Sequence, residues 1–211
     1  MNSIKVIAFD FGGVIATLSP HRAAARLGAL GLENPESHLD AFTQRGIFGD
    51  LECGRISDEE FRVGLSKLCG RELTWKDCQF VLLGYIQSVP GRNIDLLRQL
   101  RNEGFRVVIL SNTNPFMMDW ALSPRFTPEG WSLSDVADTI YLSYKIGAMK
   151  PDPLIFNTVL NSENVAPSEM LFLDDGQRNV EAAAALGIQT MLVENGSDWT
   201  ERLKEKVKGK K

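Results

Sequence analysis

The sequence carries four sets of polar residues whose types could do chemistry. They are Asp10, Ser111 with Asn112, Lys150, and Asp174 with Asp175. A carboxylate can act as a nucleophile, and an ammonium group can offset negative charge in a transition state. Two adjacent acids repel each other, so the pair at 174–175 is typical of a site that holds a cation or a network of hydrogen bonds.

These residue types suit phosphoryl transfer. Asp10 can attack phosphorus to form an aspartyl-phosphate, which splits the displacement into two steps. Asp10 and Asp175, together with a backbone carbonyl, can hold Mg²⁺, which prefers oxygen ligands and screens the nucleophile from the phosphate. The hydroxyl and amides of Ser111 and Asn112 can hold the transferred oxygens, and Lys150 can offset developing charge. Each residue alone also has an ordinary structural interpretation, so the hypothesis requires that all four sets meet.

Alternating strands and helices would bring these sets together. The pattern predicts strands at 4–9, 106–110, 139–142, 170–173 and 189–193, and helices at 93–102, 153–160, 178–186 and 199–207. Because strand–helix–strand repeats give a parallel sheet with helices on both faces, the fold class is α/β. Ligands of such sheets bind outside the carboxyl ends of the strands, which is where Asp10, Ser111 and Asp174 fall.

The segment between residues 16 and 89 has a different pattern and predicts a helical domain. Helical periodicity extends over 21–31, 57–69 and 74–88. Ser57 and Glu60 form a capping-box pattern that starts a helix. The stretch 48–55 is charged and interrupted by glycines, which favours a loop that faces a ligand. We therefore predict a core of residues 1–15 and 90–211 with a helical insertion at 16–89.

Composition excludes several classes of function. The chain of 211 residues has 23 Lys and Arg against 27 Asp and Glu, a net charge of −4, which argues against a nucleic-acid or membrane surface. No apolar stretch approaches the length of a membrane span or signal sequence. Three cysteines without metal-type spacing indicate reduced thiols and a cytoplasmic protein. The two histidines do not form a recognisable catalytic triad or His-rich metal site.

Four motifs resemble those of the haloacid dehalogenase-like hydrolases, and the resemblance covers nearly the whole chain. The motifs are Phe9–Val14, Leu110–Asn114, Lys150–Asp152 and Leu173–Ala183. Within that family, the stretch Glu52-Cys53-Gly54-Arg55-Ile56-Ser57 is similar to small bacterial sugar-phosphate phosphatases of the α-glucose-1-phosphate phosphatase type.

The resemblance implies a Rossmann-like core, a helical cap inserted after the first strand, and a role for each motif. Asp10 would be the nucleophile and Lys150 would stabilise charge. The phosphate would be bound by Ser111, Asn112, Gly12 and Gly13, and Mg²⁺ by Asp10, the Gly12 carbonyl and Asp175, with Asp174 as an accessory ligand and Asn179 as a support. The substrate would be a small phosphorylated metabolite.

The sequence departs from the family pattern at Gly12. Phosphatases of this family usually carry there a second Asp that acts as general acid and then as base. Glycine keeps the backbone carbonyl but has no proton to donate, and a positioned general acid is worth about 10²- to 10⁴-fold in rate. We therefore predict a preference for leaving groups of low pKa, such as anomeric sugar oxygens or phenols, over simple alcohols.

Two other functions follow from the same departure. A 2-haloacid dehalogenase also lacks the second Asp and needs no metal, but the pair at 174–175 favours a cation, and the cap has no clear halide-binding Arg. A non-catalytic phosphate or partner binder would keep the core and lose turnover. In the cap, Arg45, Asp50 and Arg55 are candidates for substrate contact, and hinges are predicted at 16–19 and 88–91.

Overall fold

The computed structural model describes residues 3–39 and 46–209. Its strands are β1 Val6–Phe9, β2 Thr17–Leu18, β3 Ile86–Ser88, β4 Arg106–Ser111, β5 Thr139–Leu142, β6 Met170–Asp174 and β7 Gln189–Leu192. Its α-helices are α1 Pro20–Ala29, α2 Gly46–Glu52, α3 Asp58–Leu68, α4 Trp75–Leu82, α5 Gly91–Asn102, α6 Pro115–Ala121, α7 Leu133–Val136, α8 Ser143–Ile146, α9 Pro153–Glu163, α10 Gln177–Ala185 and α11 Thr200–Val207. Short 3₁₀ turns occupy Pro35–Ser37, Leu83–Tyr85 and Pro167–Glu169.

Five strands form a parallel sheet in the order β5-β4-β1-β6-β7, which confirms the α/β class. The central strand β1 pairs with β4 on one side and with β6 on the other. All four of its residues are buried, as the apolar run in the sequence predicts. Since the chain moves outward from β1 in both directions, the crossovers diverge there, and the crevice beyond its carboxyl end is the expected ligand site.

Alternate residues of β1 face opposite sides of the sheet and belong to different apolar clusters. Ile7 and Phe9 belong to a cluster that contains residues of α5 and α11. On the other face, Val6 and Ala8 belong to a cluster with residues of α9 and α10. This period of two is that of a pleated strand buried on both faces, so helices on both sides of the sheet hold β1 in place.

The described part of the stretch from β2 to β3 is helical apart from the short two-stranded ribbon that these strands form. Strands β2 and β3 pair antiparallel where the chain enters and leaves the segment. The prediction of a helix over 74–88 is therefore wrong beyond Leu82, where a 3₁₀ turn and then β3 follow. This ribbon overlaps both predicted hinges.

Helix α2 occupies part of the stretch predicted as a loop, and it ends in a Schellman motif. Arg55 N–H donates to Asp50 O at 2.8 Å and Gly54 N–H donates to Leu51 O at 3.0 Å. Gly54 adopts a φ of 69°, which suits the glycine that follows a helix. The buried Phe48 and its neighbours pack the helix into the apolar cluster of the insertion, which outweighs the low helix propensity of glycine.

None of the helices within the described ranges is both long and apolar enough to cross a lipid bilayer.

Candidate active site

Asp10 stands at the carboxyl end of β1 and one of its oxygens is held firmly. Its backbone N–H donates to Leu173 O at 2.8 Å, which continues the sheet pairing. Its Oδ1 accepts hydrogen bonds from the Phe11 N–H at 2.6 Å and from the Lys150 ammonium at 2.8 Å. No hydrogen bond to Oδ2 is seen within the described ranges, and the side chain borders a cavity, so this oxygen is available to a ligand.

Lys150 is buried, and its three ammonium donors are all used. They reach Asp10 Oδ1 at 2.8 Å, Asp174 Oδ2 at 2.7 Å and the Leu110 carbonyl at 2.9 Å. A lysine ammonium has three donors and no acceptor, so this set satisfies it. The ammonium therefore orients the Asp10 carboxylate and adds positive charge beside the cavity, without an N–H left over for a substrate.

The backbone of Lys150 is fixed by the side chain of Asn112. Asn112 Nδ2 donates to Lys150 O at 2.9 Å, and Lys150 N–H donates to Asn112 Oδ1 at 2.8 Å. Both polar atoms of this side chain are thus engaged with the 150 loop. The side chain of Asn112 thus positions the lysine, and its contact with a phosphate stays a prediction.

Asp174 is fully buried and both of its oxygens have partners. Oδ2 accepts from Lys150, while Oδ1 accepts from the Gly176 N–H at 2.7 Å and from Asn179 Nδ2 at 2.9 Å. Asn179 thus contacts the acidic pair from the first turn of α10, as a supporting residue would. Because Asp174 is committed on both sides, Asp10 and Asp175 are the carboxylates with more freedom to bind a cation.

Asp10, Asp174 and Asp175 form a cluster in which one oxygen of each lies within 4.8 Å of the others. Gly13 makes this possible, because a Cβ there would stand 1.9 Å from Asp175 Oδ2, and its φ is 76°. The N–H of Gly13 donates to Ala16 O at 2.8 Å. The absence of a side chain on Gly13 leaves room for the Asp175 carboxylate. Its predicted contact with phosphate stays a prediction.

The electrostatics of the cluster favour a bound cation. Burial raises the pKa of Asp10 well above its usual range; the charge of Lys150 opposes this rise, and the charges of Asp174 and Asp175 add to it. Burial and the charge of Asp174 raise the pKa of Asp175 to about 6. Burial alone would lower the pKa of Lys150, but the charges of Asp10 and Asp174 leave it raised. Carboxylates crowded in this way fit a hard divalent cation with oxygen ligands.

Gly12 lines the cavity, and the space beside it is filled by Leu18 of β2. A Cβ on Gly12 would stand 2.9 Å from Leu18 Cδ1. An acidic side chain at position 12 would therefore have to displace this leucine. The backbone of Leu18 is bound to Asn195: its N–H donates to Asn195 Oδ1 at 2.9 Å, and Asn195 Nδ2 donates to its carbonyl at 3.0 Å.

The loop after β4 contributes to the cavity through Asn112, Thr113 and Asn114. Ser111 is buried at the strand end and is absent from the described cavity lining; its hydroxyl donates to Asn112 O at 3.3 Å. A phosphate contact from Ser111 would require its hydroxyl to rotate, and this role stays a prediction.

The cavity has a volume of about 210 Å³ and lies between the sheet edge and the helical insertion. Glu52, the last residue of α2, lines it together with Asp10, Lys150 and Asp175. Burial raises the pKa of Glu52 to about 7, against a hydrogen bond from Asn114 and the charge of Lys150. Sequence reasoning missed Glu52 as a site residue, although it is the first residue of the stretch that carries the resemblance in the cap.

The three charged residues of the 16–89 segment that were candidates for substrate contact lie away from the described cavity lining or outside the described residues. Asp50 and Arg55 form an ion pair with each other at 2.7 Å, and neither belongs to the described cavity lining. Arg45 lies outside the described residues. Within the 48–55 stretch, Glu52 is therefore the residue that contributes to the described cavity lining.

The structure is an α/β fold whose parallel sheet carries a cluster of carboxylates at its switch point. Comparison with known proteins gives the family. A family model described as haloacid dehalogenase-like hydrolase matches residues 4–187, and the chain belongs to that family.

Individual relatives agree with this assignment. The D-ribitol-5-phosphate phosphatase of Bacteroides thetaiotaomicron is 45% identical over 200 residues, which cover 95% of this chain and 97% of the relative. A HAD-like family hydrolase from Porphyromonas gingivalis superposes with a TM-score of 0.92 at 38% identity, over 97% of this chain and 98% of that one. A HAD-family enzyme from Bacteroides thetaiotaomicron, crystallised with magnesium and inorganic phosphate, gives a TM-score of 0.85 at 31% identity, over 94% and 98% of the two chains.

Proposed function

We propose that this protein is a magnesium-dependent phosphatase that hydrolyses a small phosphorylated metabolite through an aspartyl-phosphate at Asp10. The observation that carries the proposal is the placement of Asp10. One oxygen is held by Lys150 and Phe11, the other is available, and two further carboxylates stand beside it at a cavity of small-molecule size. An oriented carboxylate nucleophile next to a cation site is what a two-step phosphoryl transfer requires.

Each residue of the site has a distinct role in this proposal. Asp10 attacks phosphorus, and Lys150 orients it and offsets charge that builds up in the transition state. Ser111 and the amides of the 111–114 loop, with Gly12 and Gly13 on the other side, hold the phosphate oxygens. Mg²⁺ bound by Asp10, the Gly12 carbonyl and Asp175, with Asp174 as an accessory, would neutralise phosphate charge. Asn179 keeps Asp174 in position.

Relatives support both the reaction and the metal. One relative is named as a phosphatase of a phosphorylated sugar alcohol, and a structural neighbour was crystallised with magnesium and phosphate. We infer that the substrate belongs to the phosphorylated sugars or sugar alcohols. The helical segment at 16–89 would act as a cap over the core of 1–15 and 90–211 and would select the substrate, with the β2–β3 ribbon as its hinge. We also infer a cytoplasmic location, since the three cysteines are unpaired thiols.

The missing acid at Gly12, taken by itself, predicts a preference for anomeric or aryl leaving groups. The preference holds only if no other side chain donates the proton. Comparing kcat/KM for a hexose 1-phosphate and its 6-phosphate isomer tests this preference. Equal kcat/KM values for the two isomers would mean that another side chain donates the proton.

The decisive test of the proposed function is Asp10→Asn. The amide keeps the shape of the side chain but has no nucleophilic oxygen anion, so we expect phosphatase activity to fall by at least about 10³-fold. Hydrolysis of p-nitrophenyl phosphate and a panel of phosphorylated sugars with added Mg²⁺ is the measurement. An exposed acid on α5, replaced as Asp95→Asn, is the matched control. If the wild-type protein is no faster than Asp10→Asn, the protein is a binder and the proposal fails.

A further inference from the structure

Glu52 lines the cavity from the inserted helical segment, whereas Asp10 lines it from the sheet edge. Both line the same cavity of about 210 Å³. Within the described lining, the other carboxyl groups are Asp10 and Asp175, which belong to the nucleophile and cation cluster. Glu52 is therefore the described lining carboxyl that stands outside that cluster, and the phosphatase reaction described above gives it no role.

Contacts on both sides fix the end of α2 against the core. Gly54, two residues after Glu52, approaches the core so closely that a Cβ would stand 2.2 Å from Tyr144 O. On the other side, Asn114 of the core lines the same cavity, and its amide opposes the rise in the pKa of Glu52. The orientation of that amide is set, because its Oδ1 caps α6 by accepting from Met117 N–H at 3.0 Å. Its NH₂ group is thus left to face Glu52.

The environment of Glu52 suits a group that gives up and regains a proton near neutral pH. Burial raises the pKa of Glu52 from 4.5 to about 7, although Asn114 and Lys150 oppose the rise. General acid–base catalysis is most efficient when the pKa lies near the working pH. A carboxyl group with an ordinary pKa would already be ionised and would have no proton to donate.

We propose that Glu52 is the general acid and base of this phosphatase, in place of the acid missing at Gly12. The inference rests on the proposed function and names the proton donor of the same site. In-line attack by Asp10 directs the leaving oxygen away from the sheet edge, toward the wall of the cavity that the inserted segment provides. Gly12 has no side chain to donate a proton, so the proton has to come from another element.

The two half-reactions balance with Glu52 as the proton carrier. In the first, an Asp10 oxygen forms a bond to phosphorus, the bond from phosphorus to the substrate oxygen breaks, and the Glu52 proton moves to that oxygen, which leaves as an alcohol. In the second, water attacks phosphorus, the bond to Asp10 breaks, and the Glu52 carboxylate takes a proton from the water. Inorganic phosphate leaves, Asp10 is an anion again, and Glu52 carries its proton.

The test compares Glu52→Gln with the wild-type protein on two leaving groups. For a phosphorylated primary alcohol, such as D-ribitol 5-phosphate or a hexose 6-phosphate, we expect kcat/KM to fall by about 10²-fold or more. For p-nitrophenyl phosphate, whose leaving group needs no proton, the fall should be less than about tenfold. The wild-type pH profile of kcat/KM on the alcohol phosphate should lose activity above a pKa near 7, and this limb should vanish in the variant. Glu72→Gln, an exposed glutamate of the same segment, is the matched control.

Each other outcome overturns the inference. Equal losses on both substrates, with the alkaline limb retained, would make Glu52 a binding or structural residue, and no loss would make it irrelevant to catalysis. Should Glu52→Gln fail to fold, the wild-type protein still decides the matter. With an acid in place, log kcat/KM depends weakly on leaving-group pKa across a series of aryl and alkyl phosphates, and a steep dependence contradicts the proposal. If instead the wild-type protein is as slow as Asp10→Asn, the proposed phosphatase function itself is wrong.

Discussion

At the scale of single residues, the site is organised by a lysine that has no free donor. Lys150 binds two carboxylates and a backbone carbonyl in a buried position. Separating such charges from water is costly unless every partner is present, so the ammonium, Asp10 and Asp174 depend on one another. The position of the proposed nucleophile Asp10 is therefore part of the folded structure before any substrate binds, which would spare the reaction the entropy of ordering it.

The same scale gives a prediction for stability as a function of pH. Because the pKa of Glu52 rises from 4.5 to about 7 on folding, the folded protein holds a proton that the unfolded chain has lost in this window. The contribution of the Glu52 carboxyl group to the free energy of unfolding therefore falls as the pH rises from about 4.5 to 7. The amide introduced by Glu52→Gln does not titrate, so the stability of this variant relative to wild type should increase by up to about 2.5 kcal/mol between pH 5 and pH 8.

Urea unfolding at both pH values, in metal-free buffer, measures this difference. Glu72→Gln should show no such change, because its carboxyl group is exposed. A constant difference between Glu52→Gln and wild type at pH 5 and pH 8 would mean that the Glu52 carboxyl titrates at the same pH in the folded and unfolded states.

At the scale of elements, features set by local sequence pattern and sheet topology could be predicted from the sequence, whereas features set by tertiary packing could not. Strands such as β1 and β5 were predictable because apolar and β-branched runs have few alternatives to a buried sheet. The convergence of Asp10, Ser111 and Asp174 followed, since each stands at the carboxyl end of a parallel strand and these ends share one edge. These inferences need local pattern and topology only.

Glu52 could not be found in that way, because its role depends on how α2 docks. The glycines near Glu52 are typical of a loop, yet Gly54 is the residue that ends α2 in a Schellman motif. The spacing Glu-x-Gly could have predicted a helix end, with the glutamate in the last turn. Its placement at the cavity requires the contact between Gly54 and Tyr144, which no local pattern encodes. The β2–β3 ribbon was missed for a similar reason, since its pairing is set by tertiary context.

The docking of α2 gives a prediction at this scale. Gly54→Ala places a methyl group within 2.2 Å of Tyr144 O, whereas Gly70→Ala, at a similar φ of 64°, meets nothing within 4 Å. Both variants share a strain of about 1–2 kcal/mol from the left-handed backbone. Only Gly54→Ala should lose a further 1–3 kcal/mol, roughly, from overpacking and shift Glu52 away from the substrate. We expect its kcat/KM on an alkyl phosphate to fall at least about tenfold below that of Gly70→Ala.

Denaturant unfolding and steady-state kinetics on the two alanine variants measure these effects. If both variants lose the same stability and the same activity, the contact between α2 and the core is not what holds Glu52 in place.

At the scale of the whole molecule, the helical insertion and the core meet around the cavity through several elements. Phe116 of α6 is buried in the apolar cluster of the insertion, next to Phe61 and Trp75. Gln79 of α4 donates to Phe116 O at 3.1 Å and to Asp119 at 2.8 Å. Since α6 begins at the loop that follows β4, the helices of the 16–89 segment pack directly against the element that leads out of the proposed phosphate site.

The metal should stabilise the molecule as a whole, because the carboxylate cluster exists only in the folded state. The charges of Asp10, Asp174 and Asp175 oppose one another across less than 5 Å in the absence of a cation, and Mg²⁺ would relieve that repulsion. A ligand that binds only the folded state at 100 times its Kd adds about 2.7 kcal/mol. For a protein of this size the rise in Tm should be roughly 5–10 °C.

A thermal melt with and without saturating Mg²⁺ at pH 8 measures the shift. Asp175→Asn removes a carboxylate that makes fewer hydrogen bonds within the protein than Asp174 does. The variant should lose most of the Mg²⁺-dependent rise in Tm, while its stability without metal should not fall below that of the wild type. The exposed Asp95→Asn should respond to Mg²⁺ as the wild type does. Because burial and Asp174 raise the pKa of Asp175 to about 6, protons compete with the metal below that pH, and the shift should shrink at pH 5. An equal shift in Asp175→Asn and wild type would place the cation elsewhere on the protein.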